Sequence, residues 1–366
     1  MNEKIHTGAF AVLSALLALS SSGAQAVTFS CKPLMDGSAS AGDSQMHAGA
    51  INNRQQVVGF AFAPYEGEYG FGAATWGKDR QAVRLNDEAG GFTVHSDAND
   101  INDAGQVVGD IYERGGRERA VTWVDGQMSF LPNLAGDQGG GAALAINKKG
   151  QIVGRSHALL AGQLVWRATR WFNGAPVDLG ALKKNGESIA FGINDAGVVI
   201  GASDVAGQVG AVPVRWVGHK ISALPLPAGA AGTASGINAA GTIVGSVIAQ
   251  GDTHRTAYAW QGDQGVAMSK RSADTDTYAE AVNAQGVVIG SELAPGASYG
   301  VPLYWAAVDA QPVDLNELVG PAGCVDAFGQ ARQLIGARDI NDNGVIIATA
   351  VNPSDYRSYS FRLTPR

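Results

Sequence analysis

An Ile-Asn or Val-Asn pair recurs seven times along the chain, at Asn52, Asn102, Asn147, Asn194, Asn238, Asn283 and Asn341. The gaps between successive Asn residues are 50, 45, 47, 44, 45 and 58 residues by subtraction. Ala stands four residues before every one of them, from Ala48 to Ala337. Gly stands three residues after six of the seven, with Gln55 in its place in the first unit. Two β-branched residues follow, and then Gly again at the seventh place, as in Gly109, Gly154, Gly201, Gly245 and Gly290. Trp closes the pattern 21 to 24 residues after the Asn, at Trp76, Trp123, Trp171, Trp216, Trp260 and Trp305, and Phe361 takes its place in the last unit. A period of this length is the signature of a fold made of stacked copies of one supersecondary unit.

Each recurring residue has a local reason. Ala and the other small residues before the Asn suit a strand whose neighbours crowd it. Asn-Asp-Ala-Gly and its variants are turn chemistry, because Asn and Asp bond their own backbone and Gly supplies positive φ. Val107-Val108 and their equivalents form a second strand. A third ends at the Trp, and a fourth carries Leu, as in Val83-Arg84-Leu85 and Val177-Asp178-Leu179. Four short strands in about 45 residues, repeated, predict an all-β fold, a β-propeller of seven four-stranded antiparallel blades. An open β-solenoid has the same spacing and stays the alternative. The seventh unit stops at Arg366 without a fourth strand. The segment Val27 to Leu34, before the first unit, is expected to supply it and so close the ring.

The chain begins with a secretion pattern. Lys4, the apolar run from Ala9 to Leu19 and the small-x-small site Ala24-Gln25-Ala26 read as a signal peptide over residues 1–26. The expected mature protein is then a single propeller domain, residues 27–366. The apolar run is too short for the roughly 20 residues a spanning helix needs, so no membrane span is expected. Cys31 and Cys324 are the chain's two cysteines, and in a secreted or periplasmic protein they are expected to form a disulfide. Acids outnumber bases 33 to 26, which argues against the broad basic face of a nucleic-acid binder.

Ala-x-x-Ile-Asn-x-x-Gly-x-Val-Val-Gly with its following Trp resembles the HAF-type extracellular repeat family, and the likeness covers essentially all of residues 27–366. It implies a secreted bacterial repeat protein and brings no catalytic residues. Gln55, Ala348 and Phe361 depart from the pattern in the terminal units.

Motifs with chemistry read mostly as structure. Gly296-Ala297-Ser298-Tyr299-Gly300 spells a nucleophile elbow but has no helix after it. Gly72 to Lys78 matches a phosphate loop, with Asp79 where Ser or Thr should hold magnesium. Asp339, Asn341 and Asn343 alternate like the first half of a calcium loop, but Ala350 occupies the twelfth position, where a carboxylate is needed. His47, His95, His157, His219 and His254 keep no common register and read as solvated loop residues. His47 or His95 beside a carboxylate at a propeller axis is the exception to test. Tyr65, Tyr69, Tyr112 and Tyr299 read as exposed loop aromatics suited to sugar stacking or protein contact. No catalytic set and no cofactor are expected. The reading is a secreted, non-enzymatic binding scaffold whose partner is an extracellular protein or glycan. The alternative is a propeller that binds or degrades extracellular polysaccharide.

Overall fold

The computed structural model describes residues 27–36, 45–65, 68–86, 93–113, 115–320, 323–352, 354 and 356–366. The signal-peptide segment lies outside the described residues. Among those residues the repeat units fold as antiparallel meanders, one blade for each repeated Asn. The fourth blade shows the plan: Ser188–Ile193 lies innermost, followed outward by Val198–Ser203, Val212–Val217 and Lys220–Ala223. The repeated Asn-x-x-Gly makes the turn between the first and second strands, with Gly197 at φ +81° and its N–H donating to Asn194 O.

The expected strand exchange is present. Phe29–Pro33 pairs antiparallel with Ser358–Pro365 and becomes the outer strand of the seventh blade. The Leu34 N–H donates to Ser360 O at 2.9 Å, the bond that Leu85 makes to Ala73 O and Leu224 to Pro213 O in complete blades. In every case this Leu follows the last residue of the outer strand rather than lying within it. Cys31 is disulfide-bonded to Cys324, with the Cα atoms 5.2 Å apart. Cys324 sits on a small hairpin, Cys324–Val325 against Ala331–Arg332, formed by the extra residues of the longest gap. The N-terminal strand is therefore stapled to the segment leading into the last blade.

Seven buried clusters form the core, one at each blade interface. Each contains the Trp or Phe361 of one blade and the Leu or Met that ends the blade before it. Trp123 meets Leu85, and Trp260 meets Leu224. Trp76 meets Leu34, so the exchanged strand fills the same socket as the others. Five of the indole N–H groups donate to the carbonyl just after that residue, for example Trp123 to Asn86 O at 2.7 Å and Trp76 to Met35 O at 3.0 Å. Trp216 differs. Its Nε1 has no partner among the described residues, and the Gly180 carbonyl at the equivalent place accepts from the Ser188 hydroxyl at 2.8 Å.

The repeated Asn does more than shape a turn. All seven are buried. Asn102 Oδ1 accepts the backbone N–H groups of Ala104 and Gln106, both at 3.0 Å. Asn102 Nδ2 donates across the blade interface to Asn147 O at 3.3 Å. The same bond runs from every blade to the next, and Asn341 Nδ2 completes the circuit on Asn52 O at 2.9 Å. A belt of amides that returns to its first member belongs to a closed ring, which removes the open solenoid.

Candidate functional site

The innermost strands leave a channel along the ring axis, and its two ends differ in chemistry. The residue before each Asn is Ile in six blades and Val282 in the other, and these side chains ring the axis. On the Asn side lies a recess of about 220 Å³ whose rim carries Asn53, Asp103, Lys148, Asp195 and Asp342. Those polar groups are spent on one another. Lys148 Nζ lies 3.5 Å from Asp195 and 3.9 Å from Asp103. Asp103 accepts from Asn53 N at 2.8 Å, and Asp342 accepts from Ala284 N at 3.0 Å.

The other end is set by a bulge. In all seven blades the pairing of first and second strands slips between the repeated Ala and the residue two places on. In six blades the backbones come close at the Gly seven places after the Asn: a Cβ on Gly59, Gly109, Gly201 or Gly290 would overlap the carbonyl oxygen facing it on the inner strand. A bulge leaves one residue out of the ladder and re-aims it. That residue lines a mouth of about 230 Å³, and it differs in every blade: Gly49, Asn99, Leu144, Phe191, Ser235, Glu280 and Arg338. In the seventh blade Ala348 replaces the second-strand Gly, and the inner strand there slips again between Leu334 and Gly336.

Beside this mouth the first three blades carry a cluster of titratable and aromatic groups. His95 Nε2 lies 2.8 Å from Asp97 Oδ2, and that bond raises the His95 pKa above its ordinary value. Asp97 Oδ1 is buried with no hydrogen-bond partner among the described residues. His47 is stacked on Phe60, and burial, reinforced by the positive charge of Arg338, lowers its pKa to about 4. Asp110 accepts from Asn99 Nδ2 at 2.8 Å, and burial pushes its pKa up to about 7. Arg155 pairs with Glu118 at 2.8 Å and covers the Trp166 ring. Deeper in, Asp100 and Asp339 occupy equivalent places in the second and seventh blades. Each accepts a backbone N–H of the next blade at 2.8 Å, Ile146 for Asp100 and Ile51 for Asp339. Burial raises their pKa values to about 7 and about 6.

His47 and His95 both pack on Phe60, with the Asp97 carboxylate bonded to His95, but none of the three lines the axial cavities. Both histidines lie on inner strands and His157 on a second strand, which corrects the reading of these three as solvated loop residues; a strand that lines a channel hides a polar ring as well as an apolar one. Tyr112 is likewise a strand residue, half-buried, with its hydroxyl donating to Glu118 at 3.1 Å. Tyr65 and Tyr69 lie on extended second and third strands, and their side chains are outside the described residues. Tyr299 does sit in a loop, with a buried hydroxyl that has no partner among the described residues. Asp339, Asn341 and Asn343 bond successive residues of the first blade, at Ile51 N, Asn52 O and Asn53 O respectively. Gly296 to Gly300 is a loop, and Gly72 lies within the strand Glu68–Trp76. The bulge residues were missed, although they occupy an unrepeated place inside an otherwise repeated motif. Among the described residues no group of three or more His, Cys, Asp or Glu is arranged to hold a metal ion, and no helix is long and apolar enough to cross a membrane.

No protein-family model matches the chain, and no curated protein matches it. Solved structures do. The β-propeller domain of the Trilobed protease from Pyrococcus furiosus superposes with a TM-score of 0.55 at 9 % identity, over 87 % of this chain and 93 % of that one. A puromycin-hydrolyzing peptidase from Mycobacterium tuberculosis gives a TM-score of 0.56 at 11 % identity, over 87 % of this chain and 52 % of its own. The acylaminoacyl peptidase of Pyrococcus horikoshii gives 0.54 at 10 % identity, over 90 % and 53 %. The chain therefore spans about half the length of these two peptidases, and what it shares with all three is the fold.

Proposed function

We propose that the chain is an exported, single-domain propeller of the HAF-type extracellular repeat family, and that it binds rather than transforms its ligand. The observation that carries this reading is the variable mouth. Seven equivalent positions are aimed at one cavity, and they differ in every blade although the Ala just before them and the Ile/Val-Asn pair just after repeat. A scaffold that keeps its repeated residues for folding and varies the ones facing a recess is arranged for recognition. The disulfide fits an oxidising compartment.

A second reading, glycan binding away from the axis, has its own support. A cavity of about 380 Å³ is lined by Tyr299, Arg271, Thr275 and Glu292. It offers an aromatic ring, the unpartnered Tyr299 hydroxyl and a buried carboxylate held by Thr275 at 2.8 Å. Thermal melting of the purified chain against glycans, amino acids, short peptides, calcium and EDTA separates the two. A ligand at 100 times its Kd stabilises by about 2.7 kcal/mol. A shift that disappears in Arg338→Gln and survives in Tyr299→Ala supports the axial mouth, and the reverse pattern supports the peripheral cavity. Turnover of the bound compound would overturn the non-enzymatic reading.

A further inference from the structure

Resting on the axial mouth as the recognition site, we infer that its ligand is a free α-amino acid with an apolar side chain. The bulge residues follow a definite chemical order around the ring. Leu144 and Phe191 stand side by side on the third and fourth blades and give one flank an apolar wall. Glu280 and Arg338 stand side by side on the sixth and seventh and give the other flank one negative and one positive group. Next to Arg338, on the first blade, is Gly49, which puts no side chain into that part of the mouth.

Burial raises the Glu280 pKa and the positive charge of Arg338 opposes that shift, so the two groups sense each other across the mouth. Neither of them makes a hydrogen bond or a close ion pair with any described residue. This sets them apart from the charges at the Asn end, where Lys148 and the aspartates are all engaged. Opposite charges held apart in a recess favour a ligand that carries both complements a short distance apart. An α-amino acid has its ammonium and carboxylate on one carbon, with a side chain leaving that same carbon. With the carboxylate at Arg338 and the ammonium at Glu280, the side chain is directed across the mouth toward Leu144 and Phe191. Guanidinium to carboxylate is the strong, bidentate form of such a contact. The cavity of about 230 Å³ is small enough to select one such molecule over an extended chain. Ile193, Ile237 and Val282 line it toward the Asn end.

Isothermal titration of the purified chain with L-leucine and L-phenylalanine tests this, with N-acetyl-L-leucine, L-leucinamide and D-glucose as comparison probes. The expected result is binding of both amino acids. Acetylation of the ammonium, or Glu280→Gln, should weaken L-leucine at least tenfold, because one charge in the mouth is left without its partner. L-leucinamide, or Arg338→Gln, should show a loss of similar size. Arg338→Gln should cost L-leucinamide little more, since that ligand has no carboxylate to lose. Phe191→Ala should weaken L-phenylalanine and leave the melting temperature nearly unchanged, as should the other two variants, because all three side chains face the cavity. Failure of both amino acids to bind the folded chain overturns the inference, as does equal binding of the acetylated or amidated probe. D-glucose binding that Arg338→Gln or Phe191→Ala abolishes overturns the ligand class while leaving the mouth as the recognition site. Amino-acid binding that none of the three variants alters overturns the mouth itself, and with it the function proposed above.

Discussion

At the Asn end of the channel seven blades present the same side chain and make the same bonds; at the other end seven blades present seven different side chains, several of them with nothing to bond. Both ends come from the same strands, only three residues apart in sequence. Repetition closes a ring because an amide that donates to the next copy of itself, and is accepted from by the previous one, has no unsatisfied end once the seventh meets the first. A position that varies has no such reciprocal partner. Asn99 is still spent, on Asp110 and on the Ala143 carbonyl, but Glu280 and Arg338 make no hydrogen bond with a described residue, and groups left so are what a recognition surface needs.

The largest test of that contrast uses two aromatic residues of the fourth blade. Trp216 is fully buried between blades, whereas Phe191 is half-buried at the mouth. Trp216→Ala should cost about 3–5 kcal/mol. Phe191→Ala should cost about 1 kcal/mol or less, since part of its surface is already in water. Chemical denaturation of the two variants gives both numbers, and equal costs would show that the mouth is part of the folding core.

The mouth should also dominate the pH dependence of stability. Asp110 has a pKa of about 7 in the folded chain because of burial, well above the roughly 3.9 of an unfolded aspartate. Asn99 faces it as a donor, Arg155 opposes the shift, and Glu118 and Asp97 reinforce it. The folded state then holds the Asp110 proton more tightly than the unfolded state does. Its contribution to stability is present below about pH 4 and is lost as pH rises through about 7. Asp110→Asn keeps a carbonyl to accept from Asn99 and removes the titration. Unfolding curves from pH 4 to 8 should be flatter for the variant, by on the order of 2–4 kcal/mol across the window. Parallel curves for variant and parent would show that Asp110 is ionised throughout.

The belt should be costly to break at any one place. Asn194→Ala removes the bond to Asn238 O and leaves the N–H groups of Ala196 and Val198 without their acceptor. At about 1 kcal/mol for each such bond, the loss is roughly 2–3 kcal/mol. A cost below about 1 kcal/mol would mean that the turn holds its shape without the side chain.

How much of this could be read from the chain follows the range of each interaction. The turn at Asn102 to Gly105, the strand after it and the Trp socket depend on residues near in sequence, and the repeat made them visible seven times over. Closure through Val27 to Leu34 was legible because a strand was missing from the last unit and a spare one stood at the start. The pairing of Cys31 with Cys324 followed from the same reasoning. The second role of Asn, donation to the next blade, was hidden, because nothing in one unit shows what lies beside it. The bulge was hidden for a related reason: it is a relation between two strands, signalled only by a Gly that recurs in six blades and whose Cβ would strike the opposite backbone. His95 and Asp97 stand two apart on a strand and therefore on one face, a signal that was present but was weighed as loop chemistry.

The smallest expected effect probes the uniform end where it departs from uniformity. Six blades place Gly at the end of the Asn turn, with φ between +73° and +89°, and the first blade holds Gln55 there at φ +64°. The Gln55 N–H still donates to Asn52 O at 3.0 Å, so the turn is the same and the residue is strained into it. A side chain in the left-handed region costs on the order of 1 kcal/mol that Gly does not incur. Gly gives part of that back through the freedom it adds to the unfolded chain. Gln55→Gly should therefore stabilise the protein by a few tenths to about 1 kcal/mol, a rise in Tm of about 1–3 °C. The carbonyl of residue 55, which accepts from Arg362 at 3.5 Å, is kept in the variant. A fall in Tm would mean that the Gln55 side chain contributes something at the first blade that the other six turns lack, and the Asn end would then carry an asymmetry of its own.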